Sequence, residues 1–221
     1  ELDARRLAIA QAAWRTIARE GLERLTLRRI AREAGFTTGV FFNIYSDKQE
    51  VLRDAFLIAA RRSAERIEQR AAREPPGIAR LRAAIAEFIP STERPESVAY
   101  TVMCFAVRDS ADPALIAGYR RKSEQHNALL TGYLAEAAAS RELSSSADPV
   151  QLLPLVTALI DGICLKALND PARYSLPACE KIVDSFIELL ASPPTPASPD
   201  ASGRARPGTS PKQLSRTRRV R

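Results

Sequence analysis

The sequence predicts an all-α protein of about nine helices, with a small three-helix head at the N-terminus and a larger helical body behind it. Alanine is abundant and glycine scarce, at 9 of 221 residues, a balance that favours helix. Apolar residues recur at three- and four-residue spacing, and no run of alternating β-branched residues offers a strand. Acidic-residue–proline pairs mark several segment starts, as helix N-termini require. With 45% hydrophobic residues, the length allows a sizeable core in one large or two small domains.

Leu7, Ala10, Ala13, Trp14, Ile17 and Ala18 share one face of a first helix, which Gly21 ends with a left-handed cap. Thr26 caps a second, short helix carrying Leu27, Ile30, Ala31 and Ala34, and Gly35 stops it. A third segment, 38–44, turns Val40, Phe41 and Ile44 towards the first two. Two short helices joined by a glycine-containing turn make residues 1–46 a helix-turn-helix candidate. Ser46, Asp47, Lys48 and Gln49 have the spacing of a capping box, Ser46 as cap and Gln49 reaching back. A long amphipathic helix follows from 47 to about 73, ended by Glu74-Pro75-Pro76-Gly77. Further helices are expected over 78–89, 96 to about 108, 113 to about 140, 149 to about 169 and 177 to about 191. Asp112-Pro113 and Asp148-Pro149 supply their own caps, and Asp170-Pro171 marks the break before the last helix. Residues 47–191 thus form the body. Residues 192–221, dominated by Pro, Ser, Ala, Gly and Arg, predict a disordered basic tail, because little apolar surface is available to offset ordering entropy.

The net charge of +7 is unevenly spread. Residues 1–62 carry twelve Lys/Arg against eight Asp/Glu, residues 63–191 fourteen against seventeen, and the tail seven against one. The basic part of the folded chain is therefore the N-terminal quarter, the side suited to nucleic acid. Cys104, Cys164 and Cys179 are odd in number, widely spaced and set in apolar stretches, which predicts reduced thiols and a cytoplasmic location. The charged first residues predict no secretion signal, and the lack of Met at position 1 predicts that a few residues precede Glu1. The most apolar stretch, 152–168, is interrupted by Pro154, Asp161 and Lys166, so no membrane span is expected. With one histidine and no Gly-rich phosphate loop, neither a metal site nor a cofactor is expected.

The run Leu25-Thr26-Leu27-Arg28-Arg29-Ile30-Ala31-Arg32-Glu33-Ala34-Gly35-Phe36-Thr37-Thr38-Gly39-Val40-Phe41-Phe42-Asn43-Ile44-Tyr45-Ser46-Asp47-Lys48 resembles the TetR family of transcriptional regulators. It has that family's Thr-capped helix, Ile-Ala pair, Ala-Gly turn, glycine inside the recognition helix, aromatic, and lysine after a capping serine. Thr37-Thr38-Gly39 with Ser46-Asp47-Lys48, and later Leu159-Ile160-Asp161-Gly162-Ile163-Cys164-Leu165-Lys166-Ala167-Leu168, look like the branch containing the choline-responsive repressor of betaine synthesis. The resemblance implies a sequence-specific DNA-binding regulator rather than an enzyme: a homodimeric repressor released from a palindromic double-stranded operator by a small-molecule effector. It also implies a body that binds the effector and dimerises.

Physically, the N-terminus of a short helix entering the major groove would offer Thr37, Thr38 and Asn43 to base edges, with Gly39 allowing close backbone approach. Asn43 suits adenine and the threonine methyls suit thymine. Thr26, Arg28 and Lys48 stand at helix starts, where phosphates are held. Phe42 and Ile44 occupy positions where the family usually carries Tyr or His donors; neither can donate. Phe42 is expected to touch thymine methyls or to pack. Phe41, Tyr45 and Trp14 are expected in the core. By resemblance, the effector pocket would draw on Tyr100, Met103, Cys104, Val107, Tyr119, His126 and Tyr133. Aromatics, at 6%, are too few to argue a cage for a quaternary ammonium ion, so choline is not carried over. The apolar faces of the last two helices supply Leu155, Leu159, Gly162 and Ile163, with Ile182, Phe186 and Leu190, as the dimer surface of a four-helix bundle. Two rivals remain: an all-helical enzyme using His126, Asp161 or Cys164, and a nonspecific DNA binder driven by the tail.

Overall fold

The computed structural model describes residues 3–107, 110–144 and 148–191. The tail expected over 192–221 lies outside the described residues, as does Arg108, the expected end of the sixth helix. Nine helices occupy the described residues: α1 (Ala4–Glu20), α2 (Leu27–Ala34), α3 (Thr38–Phe42), α4 (Lys48–Ala71), α5 (Ile78–Phe88), α6 (Pro95–Ala106), α7 (Pro113–Ala139), α8 (Pro149–Asn169) and α9 (Leu176–Leu190). Beyond them only two isolated bridges, Ser91 with Arg94 and Leu143 with Ala191, pair the backbone in β fashion among the described residues.

Helix ends follow the capping chemistry with two corrections. Gly35 takes the left-handed conformation (φ 76°, ψ 22°) that ends α2. Gly21 has positive φ but an extended ψ (82°, 166°), so α1 ends without a left-handed cap, and the chain turns next, with the Leu25 N–H on the Leu22 carbonyl at 3.1 Å. The cap of α4 is Asp47 rather than Ser46: its carboxylate accepts the Glu50 N–H at 2.8 Å. Glu50, rather than Gln49, reaches back and accepts from the Ser46 N–H at 2.9 Å and its hydroxyl at 3.0 Å. The box has slipped by one residue, because two carboxylates make stronger acceptors than a hydroxyl and a neutral amide. Helix α5 has no cap of its own; Glu136, in the last turn of α7, and Glu142, just beyond that helix, accept the N–H groups of Gly77 and Ile78 at 3.1 and 3.0 Å.

Packing falls into two apolar cores. The first joins α1, α2 and α3 to the N-terminal half of α4, to α6 and to the start of α7, through Ile9, Ile17, Ile30, Phe41, Tyr45, Phe56, Tyr100, Met103 and Leu115. Trp14, Phe41 and Tyr45 lie in it as expected. The second joins the end of α4 to α5, α7, α8 and α9, through Ile67, Leu81, Ile85, Leu134, Val156, Ile160 and Val183. By length and composition alone α8 is apolar enough to cross a bilayer, despite Pro154, Asp161 and Lys166, a test that the core helix of a helical body also passes. The averaged hydropathy absorbs its single Asp and Lys; in the fold Leu152, Val156, Ile160, Ile163 and Ala167 pack inward, and the opposite side is exposed.

Candidate nucleic-acid interface and effector cavity

The two short helices of the head are held on α1 by charge as well as by apolar contact. Glu33 of α2 accepts from Arg19 at 2.7 Å and from Arg15 at 3.4 Å, and Arg29 pairs with Glu20. Arg28 and Arg32 form no ion pair among the described residues and are exposed, so α2 carries uncompensated positive charge. Thr26 and Thr37 both act as caps, accepting the amides of Arg29 and Val40 at 3.3 Å, and each keeps its own O–H as a donor. Thr38, Gly39 and Asn43 are exposed on α3, and Phe42 is 57% exposed. A side chain at Gly39 would meet only the Thr37 hydroxyl, at 3.8 Å, so the fold itself makes no demand for glycine there. Ile44 packs on the head's core, which accounts for its apolar character without DNA. Lys48 is half-buried at the first position of α4.

A polar cluster fixes this head to α4. The Arg6 guanidinium donates to Asp54 at 2.8 Å and to Glu50 at 2.6 Å, and lies 4.5 Å from the centre of the Tyr45 ring. The Tyr45 hydroxyl donates to the same Asp54 oxygen at 2.8 Å. The Ser46 N–H, with Arg6 adding to it, pulls the Glu50 carboxyl down to about 2. Burial, reinforced by Asp54, pushes the Tyr45 phenol far above its usual range, so it remains a donor.

In the body, α5, α6, α7 and α8 enclose a cavity of about 250 Å³. Tyr100, Cys104, Tyr119 and His126 line it, as expected; Met103, Val107 and Tyr133 do not. Met103 and Val107 sit further round α6, in the head's core, and Tyr133 lies two turns beyond His126 in the second core. Sequence reasoning missed Phe88, Thr101, Phe105, Ser123, Asn127, Leu130, Thr157, Ile160, Asp161 and Cys164. Ser123, Asn127 and Leu130 share a helix face with Tyr119 and His126, and that spacing was a usable signal.

Five rings, Phe88, Tyr100, Phe105, Tyr119 and His126, gather here although the chain is poor in aromatics. The His126 ring meets Phe88 edge-on at 5.1 Å, and its Nδ1 lies 3.4 Å from the Tyr100 hydroxyl. Burial, then the charge of Lys122, pulls the imidazole down to about 4, so it is neutral, and its buried Nε2 has no hydrogen-bond partner among the described residues. Burial pushes the Cys104 and Cys164 thiols up to about 12, with Asp161 adding to both. Cys164 donates to the Phe88 carbonyl at 3.2 Å. Asp161 is the one acidic side chain on the wall, and no Lys or Arg lines the cavity among the described residues. His126, Asp161 and Cys164 thus share one cavity. A protonated thiol bonded to a carbonyl, beside an imidazole engaged with Tyr100, supplies no activated nucleophile.

On the outer side of α8 and α9, Leu155 is 57% exposed, Gly162 is exposed, and Leu159, Ile182 and Phe186 are half-buried. Ile163 and Leu190, also expected at the dimer surface, are 4% and 8% exposed and already packed within the second core. Leu165 and Leu189, which were not singled out, are exposed on these two helices.

Residues 9–55 match the family model of bacterial regulatory proteins of the tetR family, and residues 77–192 match that of the BetI-type transcriptional repressor, C-terminal. The chain is 27% identical over 194 residues to the HTH-type transcriptional regulator PksA of Bacillus subtilis strain 168, covering 84% of this chain and 89% of that protein. It is 28% identical over 200 residues to the HTH-type transcriptional regulator BetI of Burkholderia thailandensis, covering 86% and 94%. In fold it is similar to a transcriptional regulator from Saccharomonospora viridis solved in complex with choline, with a TM-score of 0.75 at 18% identity, covering 85% of this chain and 98% of that one.

Proposed function

Since the chain belongs to the TetR family of DNA-binding transcriptional regulators, with a BetI-type C-terminal half, we propose that it is a homodimeric repressor, released from a palindromic operator by a small molecule bound in the body. One observation carries this reading. The Phe56 ring of α4, 1% exposed in the head's core, stacks on Tyr100 at 6.0 Å and tilts against Tyr119 at 6.3 Å, and both tyrosines line the cavity. A molecule that repacks those tyrosines acts directly on the helix that carries the head. Close-packed interiors switch between discrete arrangements instead of absorbing such a change. The shift it produces is limited to its differential affinity for the two arrangements.

Thr37, Thr38 and Asn43, with Phe42 against thymine methyls, are the proposed base contacts, and Gly39 permits the approach; Thr26, Arg28 and Lys48 are the proposed phosphate contacts. The exposed apolar stripe of α8, Leu155 to Leu165 with Leu159 beside it, supports dimerisation through α8 and α9, and the open space around Gly162 allows close helix approach. A wall without Lys or Arg supports an uncharged or cationic effector over an anionic one. The contacts of His126 and Cys164 support a binding cavity and not a catalytic one, and three free cysteines agree with a reducing cytoplasm. The deciding experiment is selection of bound DNA from a random pool at near-physiological salt, repeated without residues 192–221. A palindrome that survives removal of the tail is the expected result; loss of all binding with the tail would replace this reading with nonspecific, tail-driven attraction.

A further inference from the structure

A second void lies where head and body meet, and we propose that it is a binding site for a small uncharged molecule with a single aromatic ring. It measures about 140 Å³, opens to solvent on one side, and is bounded by the turn after α1, the first turns of α4, the end of α6 and the start of α7. Leu52, Phe56, Met103, Val107 and Leu115 form its buried apolar walls. Gln49 and Ser110 are the polar groups at its edge, and no charged side chain lines it among the described residues. Buried apolar walls of this kind favour an uncharged occupant over an ion, which would lose its hydration against them. An apolar void of about 150 Å³ suffices to hold benzene in an engineered protein core, so the volume fits one ring, and Gln49 and Ser110 offer a partner to a ring hydroxyl.

This void shares no lining residue with the effector cavity. Phe56 separates the two: one side of its surroundings is Tyr100 and Tyr119, the other is the junction void. The Arg53–Asp112 ion pair, 2.7 Å long, ties α4 to the cap of α7 alongside it. An occupant of the junction therefore bears on the same ring as one that moves Tyr100 or Tyr119 in the cavity, and any coupling between those two occupants is reciprocal, whereas Ile160 stands on the α8 wall and is not among the rings packed on Phe56.

The test uses the full chain, with 4-fluorophenol as probe. Met103 is the one methionine in the sequence, so a 13C-methyl methionine label reports on this wall. Titration should give saturable 19F broadening with a Kd on the order of 1 mM, in step with a shift of the Met103 methyl resonance. Ala106→Leu, which projects into the junction, should weaken binding about tenfold or more, as should Leu115→Phe, which fills the same void from α7 if the first variant folds poorly. Ile160→Phe, which fills the effector cavity instead, should leave the affinity within about twofold. No saturable binding, an unmoved Met103 methyl, or binding lost in Ile160→Phe but kept in both junction variants would overturn the proposal. None of these readouts involves DNA, so they stand or fall apart from the regulator reading.

Discussion

Arg6 of α1 and Asp54 of α4, 48 residues apart in the chain, meet at 2.8 Å, and the Tyr45 hydroxyl ends on the same carboxylate oxygen. Three segments of the head thus converge on one largely buried group. Asp54→Ala leaves a guanidinium and a phenol without that acceptor and should cost about 3 kcal/mol, the usual range for a broken buried pair. Tyr45→Phe removes one donor and should cost only about 1 kcal/mol. Urea unfolding of both variants measures the contrast; equal costs would mean that Asp54 acts by packing alone.

At the DNA face, side chains of different chemistry should fail differently. Asn43→Ala should relax the preference at one base pair and lower operator affinity by about 1–3 kcal/mol, with little effect on random DNA. Lys48→Glu should weaken binding to all sequences and flatten the salt dependence. Phe42→Tyr returns a donor to an exposed position and should raise affinity severalfold without changing the salt slope, because a phenol releases no counterion. Binding isotherms at several salt concentrations, on operator and scrambled DNA, check all three.

His126 sets an acid limit on the body. Its pKa is about 4 in the fold against an ordinary 6.5, so below pH 6.5 the unfolded chain takes up a proton that the folded chain refuses. Stability should fall from pH 6.5 towards 4, by on the order of 3 kcal/mol in all. Glu50, at about 2 against an ordinary 4.5, adds a lower window: its contribution is present above 4.5 and is lost as pH falls towards 2. His126→Phe should flatten the upper window and spare the lower, as read by denaturant midpoints across pH.

Leu155 and Ile163, both on α8, differ sharply in burial, at 57% and 4% exposure. Leu155→Glu should therefore give a folded monomer by sedimentation, with DNA affinity reduced, whereas Ile163→Glu should unfold the body. A Leu155→Glu protein that still sediments as a dimer would place the interface elsewhere.

Most of the fold was legible because its signals are local. The 3.6-residue period of Ile30, Ala31 and Ala34, the Thr26 cap, and the Asp-Pro starts at 112 and 148 each involve a few neighbouring residues, and the helices begin and end within a residue or two of the expected positions. The slipped box was legible too, since Asp47 and Glu50 have the same three-residue spacing as Ser46 and Gln49 with better acceptors; what the sequence hid is that Arg6, far away, also reaches Glu50. The cavity was half readable for the same reason. Tyr119, Ser123, His126 and Asn127 share one helix face, but that Phe88, Thr157 and Cys164 complete the wall is set by how α5 and α8 settle against α7. Exposure on α8 likewise required knowing which side its neighbours cover.

Because Phe56, Ala99, Tyr100 and Met103 belong to the same core as Ile17, Ile30 and Phe41, the DNA-facing end is not a detachable module. Each large apolar side chain uncovered by cutting at residue 46 would forfeit about 2 kcal/mol of burial, on both sides of the cut. Residues 1–46 transplanted onto a foreign scaffold would arrive with half an interior. Recombination between relatives should succeed only where the exchanged piece carries α4 and α6 with it, so the smallest piece that keeps this interior whole is the head together with those two helices.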